Sequence, residues 1–153
     1  MLLSGFVEEN FTDYKYPTMT IGFPNCTFKC GEWCQNYCLK NSKRIEYPLV
    51  KLVDRYLKNN LTQGIVCAGL EPFDDFNALY ALIDCFRART LDVIIIYTGY
   101  DREEIKFYIS QLQNRFTNII VKFGRFIPNC ESHYDEVLGV DLKSPNQYAE
   151  YIC

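Results

Sequence analysis

Asp92-Val93-Ile94-Ile95-Ile96-Tyr97 is the stretch that decides the fold class. Four β-branched residues in succession leave no polar side to turn to water, so the segment reads as a strand covered on both faces, the usual condition of a strand in a parallel sheet. Outward from it, Gly64–Gly69 and Asn118–Phe123 read as neighbouring strands, Met1–Val7 and Thr18–Phe23 as earlier ones, and a last short element falls near Val137–Leu142. Helical spacing fills the gaps. Leu49, Val50, Val53, Tyr56 and Leu57 recur at helical intervals between Tyr47 and Asn60, with Pro48 in the first turn. Phe76, Leu79, Tyr80, Ile83 and Phe86 mark a second helix with Asp74 or Asp75 as its N-cap. Ile105, Tyr108, Ile109 and Leu112 mark a third, opened by the capping-box pair Asp101 and Glu104.

This alternation predicts a parallel sheet with right-handed crossovers. So few βα units cannot close an eight-stranded barrel. The expectation is therefore an α/β fold, a parallel sheet forming an open, partial (βα) barrel, in a single domain spanning residues 1–153. Ligands of such sheets sit beyond the carboxyl ends of the strands. The unusual residues fall there: Cys26–Cys38 after Phe23, Gly69–Pro72 after Cys67, Thr98–Tyr100 after Tyr97, and Gly124–Phe126 after Phe123.

Composition narrows the function. The chain is 48% hydrophobic and 23% charged, a globular balance with material for a core. Its 16 basic and 19 acidic residues leave a net charge of −3, and no basic run exceeds the pair Lys43–Arg44, which argues against nucleic acid as a partner. No apolar run approaches the ~18 residues of a membrane span. Met1–Asn10 lacks the basic start of a signal peptide, so a reducing cytoplasm is expected, and the N-x-T triplets at Asn10, Asn25 and Asn60 read as chance.

Cysteine is the outlier, with eight residues, four of them (Cys26, Cys30, Cys34, Cys38) within thirteen positions. Three thiolates from one loop can hold three irons of a 4Fe-4S cluster and leave the fourth iron open for chemistry. Zinc would use all four thiolates, but zinc modules divide their ligands into two separated pairs. Cys67 and Cys85 lie within apolar element faces and read as buried, reduced side chains, whereas Cys130 and Cys153 carry no assignment.

The segment Cys26-x3-Cys30-x3-Cys34, followed by Gln35-Asn36, resembles the cluster loop of the radical S-adenosylmethionine (SAM) enzymes, most closely that of the anaerobic (class III) ribonucleoside-triphosphate reductase activating proteins. That family usually shows C-x3-C-x2-C, so the second spacing here is one residue longer. Two registers are open, Cys26/Cys30/Cys34 and Cys30/Cys34/Cys38. The first is preferred, because Phe28 and Cys34-Gln35-Asn36 then fall where the family has an aromatic and its Cys-x-Asn. Trp33 matches the aromatic position near the SAM adenine. Gly69-Leu70-Glu71-Pro72 is similar to the superfamily's Gly-Gly-Glu-Pro turn, whose backbone carbonyls receive the SAM ammonium, with Leu70 in place of the second glycine. Tyr97-Thr98-Gly99-Tyr100 looks like the activases' Tyr-Thr-Gly-Tyr, Gly124-Arg125-Phe126 resembles their Asp-Gly-x-Phe loop with Phe123 where the Asp stands, and Ser144-Pro145-Asn146-Gln147 resembles their Ser-x-Asn-Gln.

The resemblance implies a 4Fe-4S cluster on Cys26, Cys30 and Cys34, with SAM bound through Phe28, Trp33, Asn36, Gly69, Leu70, Glu71, Thr98 and Tyr100. It implies an oxidoreductase that cleaves SAM and abstracts a hydrogen from a glycine of a large anaerobic ribonucleotide reductase subunit, with flavodoxin or ferredoxin as electron donor. Two other readings stand beside it. One is a radical SAM enzyme acting on another glycyl-radical enzyme, a peptide or a small molecule; the other is a non-catalytic electron-transfer protein in which Cys38 closes the fourth iron. A chain of 153 residues is expected to lack a closed substrate pocket, so that a macromolecular partner covers the strand ends, with Tyr97, Tyr100, Phe123 and Phe126 as contact candidates. His133 reads as a loop residue, and Lys40, Lys43 and Arg44 as a solvated face.

Overall fold

The computed structural model describes residues 1–153. Four strands, β3 (Thr18–Phe23), β5 (Gly64–Gly69), β6 (Val93–Tyr97) and β7 (Ile119–Phe123), lie parallel and side by side in sequence order. They are joined by helices α1 (Leu49–Lys58), α2 (Phe76–Arg87) and α3 (Lys106–Gln113). Each edge of this parallel block carries an antiparallel strand: β2 (Gly5–Asn10) against β3, and β10 (Tyr148–Tyr151) against β7. The sheet thus has six strands in the order β10-β7-β6-β5-β3-β2. Two small antiparallel pairs complete the strands, β1 (Leu2–Leu3) with β4 (Ile45–Glu46) and β8 (His133–Asp135) with β9 (Val140–Leu142).

The expected all-parallel, partial barrel is not what forms. The sheet is mixed and open, because the chain beyond β7 returns through the β8–β9 hairpin and pairs as β10 in the antiparallel sense, with Ala149 opposite Lys122 and Glu150 opposite Val121. A further parallel strand would have needed another crossover helix. The first segment, read as one strand over Met1–Val7, divides at Ser4 between β1 and β2. His133, read as a loop residue, pairs with Leu142 in the hairpin, and its Nδ1 is buried without a partner.

Parallel strands added in one direction by crossovers of one hand put every helix on the same face. Accordingly Leu52, Val53, Leu79, Leu82, Ile83, Ile109 and Leu112 from the helices pack against Ile21, Ile65, Ile94, Ile96, Ile119 and Val121 in the larger core. Cys67 joins this core with no exposure. The opposite face belongs to the alternate residues, and there Val66, Ile95 and Ile120 meet Tyr14, Leu138, Leu142 and Ala149 from loops, the hairpin and β10. One layer of helices and one thin layer of loop and hairpin explain why Val93–Ile96 must be apolar on both sides.

Helix starts follow the sequence signals. The Asp75 side chain caps α2 by accepting from the Ala78 N–H at 3.3 Å, and Asp101 and Glu104 form the capping box before α3. At the other end of α2, Arg87 donates to the carbonyls of Thr90, Asp92, Thr117 and Asn118 at 2.7–3.3 Å, fastening the two loops that lead into β6 and β7. Charge-assisted bonds to buried or half-buried carbonyls are worth more than exposed ion pairs. Arg87→Met is therefore expected to lower the unfolding free energy by about 3 kcal/mol in urea titration. Arg89→Met, which breaks only the exposed pair with Asp54, is expected to change it by about 0.5 kcal/mol or less.

Candidate metal and cofactor site

The face of the sheet away from the helices is bare near its carboxyl end. There the row Gly22, Ala68, Tyr97, Lys122 crosses β3, β5, β6 and β7 in register. Ala68 leaves room, and a cavity of about 720 Å³ opens over Thr20, Ala68, Tyr97 and Lys122. That volume is within the roughly 300–1,000 Å³ of small-molecule and cofactor sites. Its walls are the cysteine loop on one side and Val140–Lys143 of the hairpin on the other, and it is open to solvent.

The cysteine loop leaves β3 at Phe23 and winds through two single helical turns, Gly31–Trp33 and Tyr37–Asn41. Left-handed backbone at Phe28 (φ 52°) and Gly31 (φ 60°) makes the reversal between Cys26 and Cys34, and the Phe28 N–H donates to Cys26 Sγ at 3.1 Å. Tethers hold this loop to the turn after β5. The Thr27 N–H donates to Asp74 Oδ2 at 2.6 Å, the Glu71 N–H to the Asn25 carbonyl at 2.8 Å, and Asn36 Nδ2 to the Gly69 carbonyl at 2.7 Å. Gly69 has φ +94°, and a Cβ there would lie 2.8 Å from the Phe23 nitrogen, so the close approach of the two loops requires glycine.

Cys26, Cys30 and Cys34 line the cavity; Cys38 is exposed and does not. Burial raises the Cys26 thiol to about 11 and raises Cys30, with the neighbouring Cys34 adding to the effect at Cys30. These thiols are neutral at pH 7, so binding iron would displace their protons. No three Cys, His, Asp or Glu side chains close around a single ion. Three soft donors on one wall of a cavity, with cationic Lys122 and Arg125 on another, suit a bulky anionic iron–sulfur group.

Of the other residues implicated by sequence, Trp33, Asn36, Gly69, Leu70, Glu71 and Thr98 also line the cavity, and Phe28 and Tyr100 do not. Phe28 packs edge-on against Tyr37, with Lys40 Nζ 5.3 Å from its ring. Tyr100 works as a clamp: its hydroxyl donates to Asp74 at 2.6 Å, and its ring lies between Lys29 and Arg125, whose cationic groups are 4.8 and 5.2 Å from its centre. Among the contact candidates, Phe123 is fully buried, and Tyr97 donates to the Asp13 carbonyl at 2.7 Å.

Glu71 is buried, and its carboxylate accepts from the Phe73 N–H (3.2 Å), Thr98 Oγ1 (2.8 Å) and the Gly99 N–H (2.9 Å). It ties the turn after β5 to the turn after β6. Asn36 already occupies the Gly69 carbonyl, and the Leu70 carbonyl carries no intramolecular partner.

Sequence reasoning passed over Lys122, and it quoted Gln147 and the element near Val137–Leu142 without placing them at the cavity. The signal for Lys122 was present, since it is the one charge within the apolar run Ile119–Phe123. Burial lowers its ammonium to about 8, against the opposing pull of Glu71 and Cys30. Its Nζ donates to the Gly124 carbonyl at 2.9 Å. Gln147 holds that carbonyl from behind: Nε2 donates to it at 3.3 Å while Oε1 accepts the N–H groups of Lys143 and Ser144. Asn146 Nδ2 donates to the Arg125 carbonyl at 2.8 Å. The Gly124–Phe126 and Ser144–Gln147 segments, distant in sequence, are thus one structure. Gly124 has φ +92°, and a Cβ on it would lie 2.8 Å from the Asn146 carbonyl oxygen.

A protein-family model described as a 4Fe-4S single cluster domain matches residues 18–140, which include the cysteine loop, all four parallel strands and Lys122. No curated protein and no solved structure matches the chain.

Burial raises the Glu71 carboxyl to about 7, above its ordinary value of 4.5, despite the three hydrogen bonds it accepts. A group whose folded pKa is raised contributes most below its unfolded pKa and loses that contribution as pH rises through the folded value. In the cluster-free chain, the unfolding free energy of wild type relative to Glu71→Gln should therefore fall by about 3 kcal/mol between pH 4 and pH 8, measured by urea titration at each pH. A flat or rising difference contradicts it.

Proposed function

We propose, from the premise that this chain belongs to the family of 4Fe-4S single cluster domains, that it is a radical SAM activating enzyme that generates a glycyl radical on a large anaerobic ribonucleotide reductase subunit. The observation that carries the reading is the meeting of Cys26, Cys30 and Cys34 with Gly69–Glu71 and Thr98 around one cavity at the strand ends, while Cys38 stays outside. Three thiolates leave one iron of a cluster for a ligand other than the protein. When bound and reduced, such a cluster would supply one electron to the sulfonium of SAM, whose C5′–S bond would break to release methionine and a 5′-deoxyadenosyl radical.

The chain's own residues bind and orient. The free Leu70 carbonyl is the acceptor for the SAM ammonium, and Asn36, by taking the Gly69 carbonyl, fixes the turn that presents it. Glu71, through Thr98 and Gly99, keeps the turns after β5 and β6 at one spacing. Trp33, 59% exposed at the rim, is placed to cover an adenine and to meet a partner. Tyr37 and Ile127 are exposed on the segments that follow β3 and β7, where a protein that excludes water over the strand ends would meet them. An electron carrier such as flavodoxin or ferredoxin completes the system.

Anaerobic reconstitution should yield one 4Fe-4S cluster, lost in Cys26→Ala, Cys30→Ala and Cys34→Ala and kept in Cys38→Ala, as read from absorbance and iron content. Mixing the reduced protein with SAM and the reductase subunit should then give the doublet of a glycyl radical in electron paramagnetic resonance. Turnover of a small molecule or peptide without that doublet assigns the chain to another radical SAM reaction, and a cluster that leaves SAM uncleaved assigns it to electron transfer.

A further inference from the structure

The segment that carries the thiols is cationic in an anionic chain. Between Cys26 and Ile45 stand Lys29, Lys40, Lys43 and Arg44 against one carboxylate, Glu32, with Glu46 next beyond them, whereas the whole chain has a net charge of −3. Lys40, Lys43 and Arg44 are exposed, and none of them belongs to an ion pair. Elsewhere the arginines meet carboxylates of this chain: Arg55 pairs with Glu8, Arg89 with Asp54 and Arg115 with Asp84. Charges without a partner inside the chain direct their field into solvent.

Local structure holds this patch at the strand ends. Lys40 Nζ lies over the rings of Phe28 and Tyr37, 5.3 and 5.1 Å from their centres, which keeps it on the outside of the cysteine loop. Lys43 and Arg44 lead into β4, which pairs with β1. Directly after β1, the Ser4 N–H donates to the Gly22 carbonyl at 2.9 Å, beside the carboxyl end of β3. Leu39 lines the cavity with Cys26, Cys30 and Cys34, whereas Lys40, Lys43 and Arg44 do not. The loop thus turns its thiols toward the cavity and its cations toward solvent.

We infer that Lys40, Lys43 and Arg44 form the docking surface for an acidic protein that carries single electrons, and that the carrier approaches from the outer side of the cysteine loop. The inference rests on the reading of these cysteines as ligands of a reducible 4Fe-4S cluster. In each encounter the carrier is oxidised by one electron and the cluster reduced by one, with no bond formed or broken. Contacts of this kind are brief and small, with total buried areas below about 1,200 Å². Complementary charge raises their association rates by roughly 10–1,000-fold at low salt. Exposed, unpaired cations suit that task. A lasting protein interface would place aromatic and apolar side chains at its centre, and nucleic acid would need a broader basic surface.

Stopped-flow reduction of the reconstituted protein tests the inference. Reduced flavodoxin, as the acidic carrier, is mixed at low and at high salt with wild type, with the double variant Lys43→Gln and Arg44→Gln, and with a triple variant that adds Lys40→Gln. At low salt the second-order rate constant of the triple variant falls about tenfold or more below wild type, the double variant lies between, and high salt brings the three together. Photoreduced 5-deazariboflavin, a small uncharged reductant, reduces all three at one rate. Equal rates with flavodoxin overturn the inference. An equal fall with both reductants also overturns it, because the cations then act on the cluster itself. So does an unchanged flavodoxin rate beside weakened binding of the reductase subunit or of nucleic acid, which gives the patch to that partner. Association of oxidised flavodoxin with the cluster-free chains, read from the broadening of its nuclear magnetic resonance signals, needs no cluster: loss in the triple variant supports the inference, and equal binding overturns it. Neither measurement uses SAM. A protein that accepts the electron and leaves SAM uncleaved fails as an activase while the docking surface stands, and one that assembles no cluster fails the cluster reading while the association measurement still decides the patch.

Discussion

Buried and triply hydrogen-bonded, the Glu71 carboxylate is the constraint on which the site depends. Three parallel strands end in separate turns, and nothing in a sheet ladder fixes how far those turns stand apart. Glu71 fixes it by spanning from its own turn, at Phe73, to Thr98 and Gly99 beyond β6. Three residues on, Asp74 extends the same scaffold outward, receiving the Thr27 N–H of the cysteine loop and the Tyr100 hydroxyl. The placement of Cys26 against the strand ends thus follows from carboxylates on the turn after β5. The energetic tension at Glu71 is part of the design: burial opposes its ionisation, and donors from two loops offset that opposition in part.

Much of the parallel block was legible because its signals are local. Val93–Ile96 announces a doubly covered strand, and the caps at Asp75 and Asp101 announce helices, without reference to anything distant. The curvature was not legible. Whether four parallel strands curl toward a barrel or stay open depends on what pairs with the last of them, and Tyr148–Tyr151 is too short and too polar on one side to declare its direction. Local motifs likewise named most of the cavity's lining. Phe28 and Tyr100 lie beside lining residues in sequence, and their rings pack outside that lining, against Tyr37 and beside Lys29 and Arg125. Lys122 and Gln147 needed three dimensions: the first is odd in its strand, but only the juxtaposition of Gly124 with Gln147 gives that oddity a setting.

The segregation of helices to one face is what makes a small chain sufficient for such a site. The larger core lies on the α1–α2–α3 side and only a smaller one on the opposite face, which is free to be partly hollow toward the strand ends. The small side chain of Ala68 leaves space, and Tyr97 and Lys122 furnish it with polar groups on the same register row. The hairpin β8–β9 and the loop around Asp13 supply walls that contribute little to the main core.

The far wall of the cavity has a consequence for how the protein is made. The cysteine loop leaves the ribosome more than a hundred residues before Gln147 and β10, which secure the Gly124 carbonyl and pair with Lys122. At roughly 5–20 residues per second, the thiols wait several seconds or longer beside a half-built enclosure. Until β7 and the hairpin have been made, no side chain from them shields the thiols from oxidants or from stray metals. Iron that arrives after the last strand has docked meets an ordered cradle with its cations in place, so correct metallation is a matter of timing as well as of affinity.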